Sequence, residues 1–91
     1  MRAEGGDYVK RCRLDAGMTQ RELAEKLDLK YYTFISQVEN GQGRLPPYLY
    51  VKTARALGLP IKEFAMTMLS YYDPHTFAAI TTEEELKAAK K

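Results

Sequence analysis

The stretch Thr19–Gly41, TQRELAEKLDLKYYTFISQVENG, reads as two short helices joined by a tight turn. Thr19 and Glu22 have the spacing of a capping box. The threonine hydroxyl accepts from the Glu22 amide, and the glutamate reaches back to Thr19. The helix this opens turns Leu23, Ala24 and Leu27 inward. Asp28 stands where a left-handed residue is needed, a conformation that aspartate tolerates better than most side chains. Beyond the turn, Tyr31, Phe34, Ile35 and Val38 recur at helical spacing and form the inward face of a second helix, which ends at Asn40-Gly41. Subtracting them leaves Tyr32, Thr33, Ser36 and Gln37 on its outward face.

On the N-terminal side, Val9, Cys12, Arg13 and Ala16 follow the i, i+3, i+4, i+7 spacing of one helical face, closed by Gly17. Cys12 reads there as a small apolar filler rather than a nucleophile. On the C-terminal side, Gln42–Pro47 is a loop leading into a helix with proline at its start. That helix is expected to bury Tyr50, Val51, Ala54 and Leu57 and to stop at Gly58. Pro60 opens a further helix with the apolar stripe Ile61, Phe64, Ala65, Met68 and Leu69, ended by Asp73-Pro74. In the tail, Phe77 and Ile80 are apolar, and Thr82-Glu83-Glu84-Glu85 is placed to cap a final, mostly polar turn or two. Alternating β-branched segments with hairpin turns are missing, so the class is all-α.

At 91 residues, 45% hydrophobic and 29% charged, the chain has the composition of one folded domain. No apolar run approaches the roughly 18 residues needed to cross a bilayer. Residues 1–6 lack the apolar stretch of a signal peptide, which makes the cytoplasm the expected compartment. One cysteine and one histidine, Cys12 and His75, allow neither an internal disulfide nor a Cys/His zinc site. Without paired carboxylates or a glycine-rich phosphate loop, the reading is of a non-enzyme with no cofactor and no metal. The net charge of +2 is small, but from Leu29 to Lys62 the cations Lys30, Arg44, Lys52, Arg55 and Lys62 face only Glu39. A polyanion would be attracted to such a segment.

Four pieces carry a family resemblance: Ala16-Gly17-Met18-Thr19-Gln20, Glu22-Leu23-Ala24, Ile35-Ser36-Gln37-Val38-Glu39-Asn40-Gly41, and Ala54-Arg55-Ala56-Leu57-Gly58-Leu59. In this order and spacing, Leu14 to Phe64 resemble the phage-repressor (Cro/CI, XRE-type) helix-turn-helix family. The resemblance implies a five-helix lambda-repressor-like DNA-binding domain whose second motif helix enters the major groove. It also implies that Gln20 holds a phosphate and that exposed amides at Asn40-Gly41 form a second phosphate clamp. Lys30 and Arg44 are in place to add charge there. Arg13 and Glu39 match a partly buried ion pair of lambdoid repressors.

Among the outward residues, Gln37 suits adenine, since its amide can bond two atoms of that base at once. Thr33 can offer a methyl to thymine, Ser36 can bond base or phosphate, and Tyr32 can touch sugar-phosphate or base. The chain departs from the family by one extra residue between Leu29 and Ile35, placed in the turn near Lys30-Tyr31.

Past Phe64 the resemblance fades. We read residues 1–71 as the DNA-binding domain and 72–91 as a short C-terminal helical extension. The apolar residues Met68, Leu69, Tyr71, Tyr72, Phe77 and Ile80 suit a dimer surface, with Met68, Leu69, Tyr72, Phe77 and Ile80 as its core. The alternative is a tail folded back over its own domain. The expected partners are double-stranded DNA and a second copy of the chain, as for a repressor on a palindromic operator. The rival reading is an antitoxin or adaptor that grips another protein through the C-terminal apolar surface.

Overall fold

Local backbone chemistry sets where most helices begin and end. The computed structural model describes residues 2–89, with side chains described as far as Thr82. Six helices run α1 (Arg2–Asp15), α2 (Gln20–Lys26), α3 (Thr33–Glu39), α4 (Tyr50–Leu57), α5 (Ile61–Tyr72) and α6 (Pro74–Ala89), with a 3-10 turn at Pro47–Leu49 before α4. No strand occurs among the described residues, and no helix there is long and apolar enough to cross a membrane. Residues 90 and 91 of the expected extension lie outside the described residues.

The α2–α3 turn spans residues 27–32 and pivots on Asp28, the one non-glycine residue with positive φ among those described, at 58°. Its closing bond runs from the Leu29 amide to the Ala24 carbonyl at 2.9 Å. Gly58 ends α4 with φ 70°, which lets Leu59 N–H reach the Ala54 carbonyl at 2.8 Å and cap the helix.

The core takes at least one buried side chain from each of α1 to α5. Val9 comes from α1, Leu23 and Ala24 from α2, Ile35 and Val38 from α3, Ala54 and Leu57 from α4, and Phe64 and Met68 from α5. Leu27, Leu45 and Leu49 add to it from the connections. Phe64 sits at its centre, with the rings of Tyr8 and Tyr50 each 6.0 Å away. Burying one such side chain is worth about 1.5–3 kcal/mol. α1 packs on α3 and α5, α2 on α3 and α4, and α6 has its main partner in α5.

Several expectations about the faces are corrected. Ala16 is exposed, because α1 ends at Asp15 and the face ends with it. Tyr31 is 64% exposed: it lies in the turn, two residues before α3, and half-buried Leu29 packs against the core from that turn. Val51 is exposed, because the i, i+3, i+4, i+7 face of α4 is Tyr50, Thr53, Ala54 and Leu57, and polar Thr53 is fully buried. Ile61, in the first turn of α5, is 37% exposed. The tail does not wait for Thr82 to become helical. Asp73 accepts from the Thr76 amide at 3.2 Å and caps α6 directly behind α5.

The N-terminal turns of α1 hold a contact that the sequence reading left unassigned. Gly5 and Gly6 are buried inside α1, and a methyl on Gly6 would overlap the Val38 carbonyl oxygen. Gly6 thus lets α1 lie directly against the end of α3, while Gly5 faces the ring of Tyr72.

Candidate nucleic-acid interface

The α2–α3 pair is held from both ends. At the start of α2 the capping box is complete: Thr19 Oγ1 accepts from the Glu22 amide at 3.1 Å, and the Thr19 amide donates to Glu22 Oε1 at 2.9 Å. The Thr19 amide bond, reinforced by the hydroxyl, holds the Glu22 carboxyl below the usual carboxylate range. Ala24 is buried where the two helices approach, as its small size requires.

At the far end, Arg13 reaches from α1 to Glu39. Arg13 Nε donates to Oε2 at 2.6 Å and Nη2 to Oε1 at 3.0 Å, while Nη1 donates to the Met18 carbonyl at 2.7 Å. Both side chains are buried. Gln20 Nε2 also donates to Glu39 Oε1, at 3.1 Å, so the first residue of α2 is tied to the last residue of α3. Glu39, the one acid between Leu29 and Lys62, is thereby compensated inside the protein.

With Ile35 and Val38 buried, α3 presents the opposite side outward. Tyr32, Thr33 and Gln37 are exposed, and Ser36 is half-buried. Tyr32 is the residue before the first helical position, and Arg21 of α2 lies over its ring at 5.2 Å. Lys30 lies over exposed Tyr31 at 5.5 Å. Arg21 and Tyr31 were not among the residues selected from sequence. Arg21 carries a signal in being a cation on the outer side of α2, whereas the spacing of Tyr31 points to the core.

The loop after α3 corrects the expected clamp. The Asn40 and Gly41 amides donate to the Ser36 and Val38 carbonyls at 3.0 and 3.2 Å, so both are spent on closing the helix. Gln42 and Gly43 both donate to the Gln37 carbonyl, at 2.9 and 3.0 Å. Asn40 Oδ1 accepts from Gln42 N–H, which leaves the side-chain NH2 as the donor at this exposed position. Gly41, with φ 83° and Ala3 of α1 against it, shapes the turn rather than supplying a free donor.

The cations of the central segment do not share one face. Lys30 and Arg44 flank α3 in the chain. Lys52 pairs with Asp28 at 2.9 Å and lines a hollow with Lys26 and Arg55, while Lys62 borders the groove between α5 and α6. Arg44 is exposed, with Nη2 donating to the Tyr72 carbonyl at 3.2 Å and its guanidinium 4.7 Å over the Tyr72 ring.

The expected dimer residues separate in the same way. Met68 is fully buried in the core and cannot meet a partner. Tyr72, counted from sequence as the first residue of the extension, belongs to the body: its hydroxyl accepts from the Leu45 amide at 3.1 Å. Leu69 and Phe77 are half-buried and Ile80 is 39% exposed. Phe77 also lines an open groove with Pro60 and Met66. Cys12 is half-buried beside Tyr8, and burial pushes its thiol up, away from the reactive thiolate.

No curated protein matches the chain. The family comparison does give a match: the helix-turn-helix model covers residues 9–64, more than half of the chain, and takes in α2, the turn and α3 complete. On that match, with an all-helical fold around it, the chain belongs to the Cro/CI (XRE-type) helix-turn-helix family of DNA-binding regulators.

Proposed function

We propose that the chain is a cytoplasmic transcriptional repressor that binds a palindromic operator as a homodimer, one α3 per half-site. Tyr32, Thr33, Ser36 and Gln37 read base edges in the major groove. Gln20, Lys30, Asn40 and Arg44 fix the register on the phosphates. The observation that carries this reading is the polarity of α3: Ile35 and Val38 are buried on one side, while Thr33 and Gln37 stand exposed on the other. The compensation of Glu39 by Arg13 and Gln20 supports it, because no uncompensated carboxylate on α3 then opposes a phosphate backbone.

Dimerisation rests on Leu69, Phe77 and Ile80 of α5 and α6, and would set two α3 helices about one turn of DNA (~34 Å) apart. Selection of bound sequences from a random duplex library tests the proposal. Enrichment of an inverted repeat is expected; folded protein that enriches no motif at low salt overturns it. A second reading, an adaptor or antitoxin, draws on the open groove lined by Pro60, Met66 and Phe77, and gains the ground if that selection fails.

A further inference from the structure

We propose that Tyr72, outside the segment matched by the family, is a positioning residue of the DNA interface that holds Arg44 in place for a phosphate. The inference rests on the reading of Arg44 as a phosphate contact. Three separate groups of Tyr72 engage the loop between α3 and α4. Its hydroxyl accepts from the backbone of buried Leu45, its carbonyl accepts from Arg44 Nη2, and its ring lies under the Arg44 guanidinium.

The ring is itself fixed from behind. A Cβ on Gly5 would come within 2.7 Å of Tyr72 Cε1, so α1 leaves the ring no room to retreat. The carbonyl is one of the last in α5, where helical partners run out and the dipole favours a cation.

This arrangement suits a phosphate. A guanidinium stacked by its face keeps its N–H groups in the plane, and a single one of them is given to the Tyr72 carbonyl. The remaining donors stay on an exposed side chain whose rotamer freedom is already reduced. Arg44 therefore loses less entropy on binding than a free surface arginine.

The test measures affinity of the full chain for a mixed-sequence duplex across a salt series. Arg44→Ala, Tyr72→Leu, Tyr72→Phe and the Arg44→Ala/Tyr72→Leu pair are compared, with circular dichroism confirming the fold. Loss of one phosphate contact lowers the slope of log K against log salt by about 0.9 and weakens binding roughly three- to fivefold at moderate salt. Arg44→Ala is expected to show both effects. Tyr72→Leu leaves the Arg44 charge in place, so it is expected to weaken binding by a smaller factor at a near-native slope, and the double variant to bind no worse than Arg44→Ala. Tyr72→Phe keeps the ring and the carbonyl, and is expected to bind as wild type does.

Binding equal to wild type for Tyr72→Leu beside a reduced slope for Arg44→Ala overturns the positioning role and leaves the Arg44 contact standing. Tighter binding by Tyr72→Leu overturns it too, since the ring would then be withholding Arg44. An unchanged slope for Arg44→Ala removes the phosphate contact and the inference with it. Should Tyr72→Leu fail to fold, Arg44→Lys keeps the charge but loses the planar stack. Weaker binding at a near-native slope supports the proposal, and binding equal to wild type overturns it.

Discussion

Arg13 on α1 and Glu39 at the end of α3 form a buried ion pair joined by two hydrogen bonds, with Nε and Oε2 2.6 Å apart. Three helices meet in it, because Gln20 of α2 donates to the same carboxylate. Truncating one partner strands the other charge out of water. Glu39→Ala is therefore expected to destabilise the fold by about 3–5 kcal/mol, and an Arg13→Leu/Glu39→Leu double variant by less than either single change. Urea denaturation measures both. The exposed pair Arg11–Asp7 is the control, and Asp7→Ala should cost under about 1 kcal/mol. Equal losses for Glu39→Ala and Asp7→Ala would reduce the buried pair to a surface bridge.

Gly6→Ala tests how α1 meets α3. Alanine is the better helix former by about 1 kcal/mol, so on propensity alone the change should stabilise α1. The added methyl would instead overlap the Val38 carbonyl and crowd that of Glu39, both backbone atoms with little freedom to move. A net loss of about 1–3 kcal/mol is expected from thermal or urea unfolding. A variant as stable as wild type would mean that the two helices are not in close contact there.

The parts of the structure legible in the sequence were those that local chemistry decides. The capping box of Thr19 and Glu22 and the left-handed turn at Asp28 each involve residues within a few positions of one another. Faces were misread where periodicity was carried across a break. Tyr31 shares a spacing with Phe34 and Val38 but precedes α3, so the helical phase does not apply to it. Thr53, though polar, takes the buried place on the face of α4, and Val51, though apolar, lies off it. Glycine weakens a helix, yet the close approach of α3 requires Gly6 inside α1 and that of the Tyr72 ring requires Gly5, and neither neighbour is local in sequence. Tyr72 was hidden for a different reason: Leu45 lies 27 residues away in sequence, and no local pattern announces such a pairing.

Gln37 bears most of the proposed base readout. It is exposed on α3, and its backbone carbonyl anchors the following loop, so the residue is fixed at its base and free at its tip. Gln37→Ala is expected to lose about 1–3 kcal/mol of discrimination at particular base pairs while leaving affinity for unrelated duplexes nearly unchanged. Competition binding with single-position operator variants measures this. A uniform loss across all sequences would instead assign Gln37 to the backbone.

Acid should loosen the start of α6 through Asp73. Asp73 accepts from both the hydroxyl and the amide of Thr76, and these bonds hold its carboxyl below the ordinary value of 3.8. A carboxyl depressed in the folded state contributes its stability above the unfolded value and loses it as pH falls through the folded one. The cap should thus be intact at pH 5 and fail below about 3.8. Protection factors at Thr76 and Phe77, each rate referred to the intrinsic rate at that pH, should fall with acid, and Asp73→Ala should show the low protection already at neutral pH. Protection that stays constant through the acid range would detach the cap from the stability of α6.

Ile80 separates the homodimer from the monomer with least damage to the fold. Met68 and Tyr72 are committed to the interior of their own chain, so of the residues proposed for the dimer surface Leu69, Phe77 and Ile80 remain. Of these Ile80 is the most exposed, at 39%, and α6 has its main packing on α5, so a charge placed there should leave the monomer stable within about 0.5 kcal/mol. Buried between two copies, the same charge would have no partner and would cost several kcal/mol. The intact chain is expected to sediment as a dimer and Ile80→Glu as a monomer. The variant should still occupy single half-sites, since α3 is untouched, but should lose the added affinity of the inverted repeat. A chain cut before Pro74, which keeps Tyr72, should behave as Ile80→Glu does. Sedimentation of the intact chain as a monomer at every concentration would remove the dimer and leave α3 to act alone.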